Sequence, residues 1–246
     1  MPVSETLIIA ILFFAAAALY ASVGHAGASA YLAVMGLYNF APGVMKPTAL
    51  SLNILVAAVA TFKFYRTGLF SWRLFWPFAV VSVPAAFVGG ATILPAQSYK
   101  IIVGIVLLCA AVWMFRSSLK PLTRATHLPP LWAAITAGLA IGFLSGLTGV
   151  GGGIFLSPLM LYMGWAETRA TSGVAAPFIL VNSIAGLLGH FSSVAQLPPN
   201  IPIWGVAVVL GGLIGATYGS SRAPAPVLRR LLALVLIVAS VKLVLF

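Results

Sequence analysis

Gly142-Phe143-Leu144-Ser145-Gly146-Leu147-Thr148-Gly149-Val150-Gly151-Gly152-Gly153-Ile154-Phe155-Leu156-Ser157-Pro158 interrupts an otherwise membrane-like apolar sequence. Glycine inside a helix costs about 1 kcal/mol relative to alanine. Gly149, Gly151, Gly152 and Gly153 together therefore predict a helix break with backbone groups left unpaired. In hydrocarbon each unsatisfied amide costs several kcal/mol, so broken backbone at membrane depth survives only where protein buries it or where it lines a polar cavity. A cavity is expected here. The chain is apolar again from Ile154 to Met163, so a short helix should begin at the break with its free N–H groups facing the cavity. Such donors suit an anion.

Outward from this stretch the composition sets the class. Of 246 residues, 62% are hydrophobic and 6% charged, which marks a polytopic integral membrane protein. The net charge of +11 does not indicate nucleic-acid binding, because the basic residues cluster at span ends, where they set orientation and meet anionic lipid. The expected partners are the lipid bilayer and a small anionic substrate. Met1 to Thr6 carries Glu5 and no Lys or Arg, unlike the basic start of a cleaved signal, so residues 7–23 are expected to remain as a helix. The one cysteine, Cys109, excludes an intrachain disulfide and a cysteine metal cluster. No cofactor or metal is expected.

Apolar segments fall at about 7–23, 27–38, 47–65, 74–94 and 100–115, then 131–148, 153–165, 170–190, 202–219 and 227–246. The expected organisation is a first repeat over 1–115, a cytoplasmic linker over 116–130 and a second repeat over 131–246. The linker holds Arg116, Lys120, Pro121, Arg124, His127, Pro129 and Pro130. Gly24-His25-Ala26-Gly27-Ala28 matches Gly149 to Gly153 in position, and Pro47-Thr48-Ala49 matches Ala170-Thr171-Ser172. Gly89-Gly90 matches Gly215-Ala216, and Pro95-Ala96 with Lys100 matches Pro224-Ala225 with Arg229.

The fold expected is thus all-α integral membrane, with two inverted repeats of five helical segments each and a glycine-broken helix pair opening each repeat. Basic residues favour inversion. If the first two segments of each half form a hairpin, Lys63, Arg66, Arg73, Arg116, Lys120, Arg124, Arg169, Arg222, Arg229 and Arg230 are cytoplasmic against Lys46, Lys100 and Lys242 outside, as the positive-inside tendency requires. Parallel repeats divide the same charges almost evenly. Inverted repeats with short broken helices at matching positions are the usual pointer to a transporter's binding site.

The glycine run from Gly142 to Pro158, the Ala170-Thr171-Ser172 helix start and the end at Gly186, Gly189 and His190 resemble the TauE/SafE-type sulfite exporters, also called the toluene sulfonate uptake permease family. The resemblance covers nearly the whole chain. It implies transport of sulfite, sulfonates or related small organic anions across the cell inner membrane by a multi-pass protein. The first half departs from the glycine-rich pattern at Gly24-His25-Ala26-Gly27-Ala28.

The expected substrate-binding residues come from the two breaks and the helices that follow. Gly24, His25 and Gly27 form one break; Gly149, Gly151, Gly152 and Gly153 form the other. Two half-helix N-termini together offer about +1 charge, so a monoanion is expected to be matched without any buried lysine. Close packing of helices at small residues is the competing explanation, although three adjacent glycines surrender the helix itself. Thr48, Ser51, Asn53, Thr171 and Ser172 lie near the starts of the third helices, where N-capping is the alternative role. Asn182, mid-helix, serves either as helix glue or as a substrate contact. His25 sits inside a break, and an intramembrane imidazole is a functional candidate; His190 is nearer an interface and His127 is in the linker. Lys46, Lys63 and Arg66 are expected at vestibule rims or as interface anchors.

The chain has no Asp, and Glu5 and Glu167 lie outside the apolar segments. A carboxylate proton relay, a sodium site with an acidic ligand, and catalysis by paired carboxylates are therefore disfavoured. No enzymatic activity is expected. Export of an anion fits, since a monoanion leaving an inside-negative cell gains about 2.3 kcal/mol per 100 mV and needs no ion-coupling residue. Uptake by proton or sodium symport and a structural membrane subunit are the alternatives.

Overall fold

The computed structural model describes residues 2–117, 127–191 and 197–221, with Leu236, Ile237, Ser240, Val241 and Val244. Nine helices occupy the first three stretches: α1 (Val3–Ala21), α2 (Ala28–Leu37), α3 (Pro42–Arg66), α4 (Trp72–Ala91), α5 (Ala96–Ser117), α6 (Leu131–Thr148), α7 (Gly153–Met163), α8 (Thr168–Gly189) and α9 (Ile201–Ser221). Among the described residues there is no strand, and seven helices are long and apolar enough to cross a membrane; α2 and α7 are the short ones. Most of the expected linker and of the tenth segment, including Arg222, Arg229, Arg230 and Lys242, lies outside the described residues.

Both ends of the third segment follow local chemistry. Helix α3 begins at Pro42, where a proline loses no hydrogen bond because the first N–H groups of a helix have no intrahelical acceptor. Its start lies five residues before the expected bound at 47, which brings Lys46 and Pro47 inside the helix. It ends with Lys63 and Arg66 in its last turn, where cations complement the helix dipole.

Two apolar clusters build the core. One gathers Phe13, Tyr31, Leu32, Met35 and Trp204, so that α2 is enclosed by α1, α3 and α9. The other gathers Phe78, Leu156, Met160, Trp165 and Phe178, which encloses α7 among α4, α6 and α8. Helix α2 is therefore shielded from lipid, as is α7 up to its exposed end at Tyr162 and Met163, while Ile11, Val80, Phe87, Leu139, Val206 and Ile214 point outward as the apolar coat a bilayer requires. Helices α3 and α8 form the seam between the clusters.

Glycines set how closely the long helices approach. Gly138, Gly142 and Gly146 on α6 lie against the backbone at Phe78, Ser82 and Ala86 of α4; Gly211, Gly215 and Gly219 on α9 lie against the backbone at Phe14, Ala18 and Ser22 of α1. A Cβ at any of the six would meet a carbonyl oxygen of the neighbouring helix. Membrane helices gain little from hydrophobicity against one another, so backbone-to-backbone packing at small residues supplies much of their association. The two stripes share a four-residue spacing.

Candidate functional site

Between α1 and α2 the chain turns at Gly24 and Gly27, with φ of 75° and 99°; between α6 and α7 it turns at Gly149, Gly151 and Gly152, with φ of 84°, 82° and 83°. Side chains are strained in this left-handed region, so the glycines are what allow each chain to reverse inside the bundle. The first intrahelical bonds of α7 run from Phe155 and Leu156 to the Gly152 carbonyl. The N–H groups of Gly153 and Ile154 therefore belong to the first turn, which has no intrahelical acceptor to offer them.

The two breaks meet. The Nε2 atom of His25 is 3.0 Å from the Gly153 carbonyl oxygen, and its Nδ1 is 3.1 Å from that of Val23. Asn53, buried on α3, joins the same junction through both ends of its amide. Its Oδ1 accepts from the Ala28 N–H at 3.1 Å, which caps α2; its Nδ2 donates to the Val150 carbonyl at 3.3 Å and to Ser183 Oγ at 3.2 Å. Each break also docks on the opposite half. Gly24 lies against the Ser172 backbone, with Ser172 Oγ donating to the Val23 carbonyl at 2.9 Å, while Gly149 lies against Lys46. Tyrosines close the remaining carbonyls: Tyr31 donates to Ala26 at 2.7 Å and Tyr99 to Thr148 at 2.9 Å.

Of the sequence-expected residues, Gly24, His25, Gly27, Asn53, Gly149, Gly151, Gly152, Gly153 and Ser172 come together around this junction. Thr48 and Thr171 are not helix caps, because α3 and α8 are preceded by Ala41 and Glu167 in those places. Both hydroxyls are buried without a hydrogen-bond partner, as are those of Ser145 and Ser157 and the Asn182 Oδ1, whose Nδ2 back-bonds to Phe178 at 2.8 Å. Buried polar atoms are nearly always paired, so these atoms on α3, α6, α7 and α8, like Thr61 Oγ1 and Trp165 Nε1, are exceptions. Ser51 is half-buried on α3, and no contact ties it to the junction. Ser145, Ser183, Tyr31 and Tyr99 are additions that composition alone does not flag.

Lys46 corrects two expectations at once, because it stands at neither a rim nor an interface and the bundle does hold a buried lysine. Only 3% of it is exposed, and its ammonium donates to the carbonyls of Gly89, Gly90 and Thr92 at 3.3, 2.8 and 3.4 Å. The physical reason is the early start of α3. It turns Lys46 toward the C-terminal end of α4, whose unpaired carbonyls attract a cation. Arg169 does the equivalent in the other half, donating from the start of α8 to the Ser220 carbonyl near the end of α9 at 2.6 Å. His190, just past α8, is buried with its Nε2 unpartnered. Burial first, and then the Lys46 ammonium, hold its pKa below the usual imidazole value, against a raising backbone hydrogen bond to Gly90. His127 is exposed in the linker.

Broken helices inside a multi-pass helical bundle are a pointer to a transporter's binding site, and the comparisons with known proteins give the class. The model of the sulfite exporter TauE/SafE family matches residues 8–243, and the chain belongs to that family. It is 42% identical over 243 residues to the probable membrane transporter protein y4hK of Sinorhizobium fredii, covering 98% of each chain. It is 25% identical over 151 residues to the probable membrane transporter protein MJ0441 of Methanocaldococcus jannaschii, covering 59% of this chain and 55% of that one. No solved structure matches it. The family and its relatives are named as transporters and not as enzymes.

Proposed function

We propose that the protein exports a small anion, sulfite or a sulfonate being the class its family points to, across the plasma membrane as a potential-driven uniporter. The observation that carries this is the junction of the two breaks. Polar backbone from both halves converges on His25 and Asn53 inside an apolar bundle whose two acidic side chains, Glu5 in the first turn of α1 and Glu167 before α8, lie at helix ends. Half-helix N-termini, orphan hydroxyls and the donors of Asn53 suit an acceptor-rich ligand. Inverted repeats are part of the proposal, with both termini outside. Helix α4 packs on α6 as α9 packs on α1, α4 on α8 as α9 on α3, and Lys46 caps α4 as Arg169 caps α9. These pairings are what a pseudo-twofold axis between the halves generates.

The test is flux in proteoliposomes under an imposed potential at equal pH on both sides. Sulfite, sulfate, thiosulfate, sulfoacetate and simple carboxylates are offered in turn. A 100 mV potential should bias a monoanion by about 2.3 kcal/mol, close to 50-fold at equilibrium. Flux that ignores potential and requires a pH gradient replaces uniport by proton symport. No flux, and no anion-dependent thermal stabilisation, leaves a structural subunit.

A further inference from the structure

Among the described residues Lys46 has no acidic partner. The protein's two carboxylates are Glu5, in the first turn of α1, and Glu167, exposed before α8. The ammonium satisfies its hydrogen bonds on three backbone carbonyls, yet a helix C-terminus supplies only about half a negative charge. A buried charge left partly uncompensated is costly, and evolutionarily cheap apolar replacements exist for a merely structural position. Two further observations point toward a ligand. Gly149 of the second break lies against the Lys46 backbone and stem, so the lysine stands beside the glycine turn. His190, itself buried, meets the backbone of the same Gly90 that Lys46 bonds, and has an unpartnered Nε2.

We propose that Lys46 is an anion-binding residue, supplying the missing unit of charge to a small oxyanion held between the second break and the end of α4, with His190 at its edge. The proposal rests on the anion-transport reading and names the cation of that site. An anion arriving there would neutralise Lys46 and draw it from the α4 carbonyls. The same step would loosen the contact between α3 and α4.

The experiment is thermal stability of the purified full chain against sulfite and, separately, sulfoacetate concentration, for wild type, Lys46→Met and Lys46→Arg. Wild type should be stabilised. Lys46→Met should lose the anion-dependent shift or need about 30-fold more anion, the scale expected when one partner of a buried charge pair is removed. A lysine that only caps α4 would instead lower the melting temperature without anion and leave the anion-dependent shift unchanged, which overturns the proposal. If Lys46→Met does not fold, Lys46→Arg decides, since it keeps charge and cap while moving the charge centre. A half-saturating concentration changed about fivefold or more supports direct contact, and one within about twofold of wild type overturns it. No stabilisation of wild type by either anion overturns the transport reading and this proposal together, an outcome distinct from loss of the Lys46 effect alone.

Discussion

The two helix breaks hold equivalent places in the chain but are closed in different ways. Around the first, nearly every polar group has a partner: Asn53 caps α2, Tyr31 takes the Ala26 carbonyl, Ser29 donates to Tyr20 at 2.8 Å, and Ser172 takes the Val23 carbonyl. The second has more glycines, and the side chains that reach it, Tyr99, Asn53 and His25, meet its carbonyls at Thr148, Val150 and Gly153. No side chain caps α7, and Ser145 and Ser157 on the flanking helices are buried and unpaired. The same local device therefore serves two ends. A satisfied break is a joint that fixes how the halves meet; an under-satisfied one keeps donors available for a ligand, at the several kcal/mol that membrane burial charges for unmet hydrogen bonds.

The largest expected effect separates the breaks by what surrounds each glycine. At Gly24 a Cβ would lie 2.6 Å from the Cα of Ser172, which is backbone of a packed helix and cannot move aside. At Gly152 it would meet side chains, Phe178 at 3.0 Å, Ile141 at 3.2 Å and Ser145 at 3.4 Å, which can shift by a few tenths of an ångström. Gly24→Val should cost about 3–5 kcal/mol from overpacking and left-handed strain combined, and should fail to accumulate. Gly152→Val carries left-handed strain of about 1–3 kcal/mol but meets no backbone, so it should insert and fold with reduced stability while transport is lost, because the branched side chain occupies the approach to the α7 N-terminus. Membrane yield and proteoliposome flux, measured side by side, check the contrast. Equal yields with equal flux would mean that the breaks are interchangeable packing features.

Next in size is Asn53, which belongs to both breaks. Asn53→Leu removes the acceptor of the Ala28 N–H and the donor to Val150 and Ser183, leaving buried groups unmet at about 1–3 kcal/mol each. A loss of about 2–4 kcal/mol in thermal or denaturant stability is expected. Asn53→Asp keeps the cap on α2 but places a carboxylate oxygen against the Val150 carbonyl, so it should disturb the second break more than the first and weaken anion binding by like charge. If both variants reduce stability equally and leave anion affinity alone, Asn53 is a structural tie and nothing more.

Much of the fold was legible because membrane insertion makes it so: apolar length and basic ends are dictated by the bilayer, and the expected bounds of the sixth and seventh segments, 131–148 and from 153, agree with α6 and α7. The glycines were legible because most side chains are strained at the φ values that the turns adopt. Lys46 was misplaced because charge in a membrane sequence is read by its distance from an apolar run, and Pro47 suggested that the run began after it. Pro42 at the first position starts the helix without cost, and α3 then runs on through Pro47, giving up one backbone bond at a residue that more often marks a boundary. The pairing of Asn53 with Ala28 and Val150 depends on contacts between distant segments and leaves no periodic trace. The Ser145 and Ser157 hydroxyls look, in sequence, like the small polar residues that any transmembrane helix carries.

The smallest expected effect concerns His25, where the comparison turns on a single proton. Both ring nitrogens face carbonyl oxygens, Val23 on its own break and Gly153 on the other. A neutral imidazole donates through one nitrogen only, whereas an imidazolium donates through both. The Val23 carbonyl already accepts from Ser172, so the neutral ring is best used by donating Nε2–H to Gly153, which leaves the Nδ1 lone pair facing an oxygen. Protonation would replace that repulsion with a second bond and tighten the first break, while adding positive charge beside the start of α7. An anion at the second break would favour the same proton. Anion binding and proton uptake should then be coupled, and flux should depend on pH. His25→Gln keeps one donor to Gly153 and cannot titrate, so its flux should stay within a few-fold of wild type at neutral pH and lose the pH dependence. A variant that retains the wild-type pH profile would place the titrating group elsewhere, with buried His190 as the next residue to replace, and would reduce His25 to the strut that joins the two breaks.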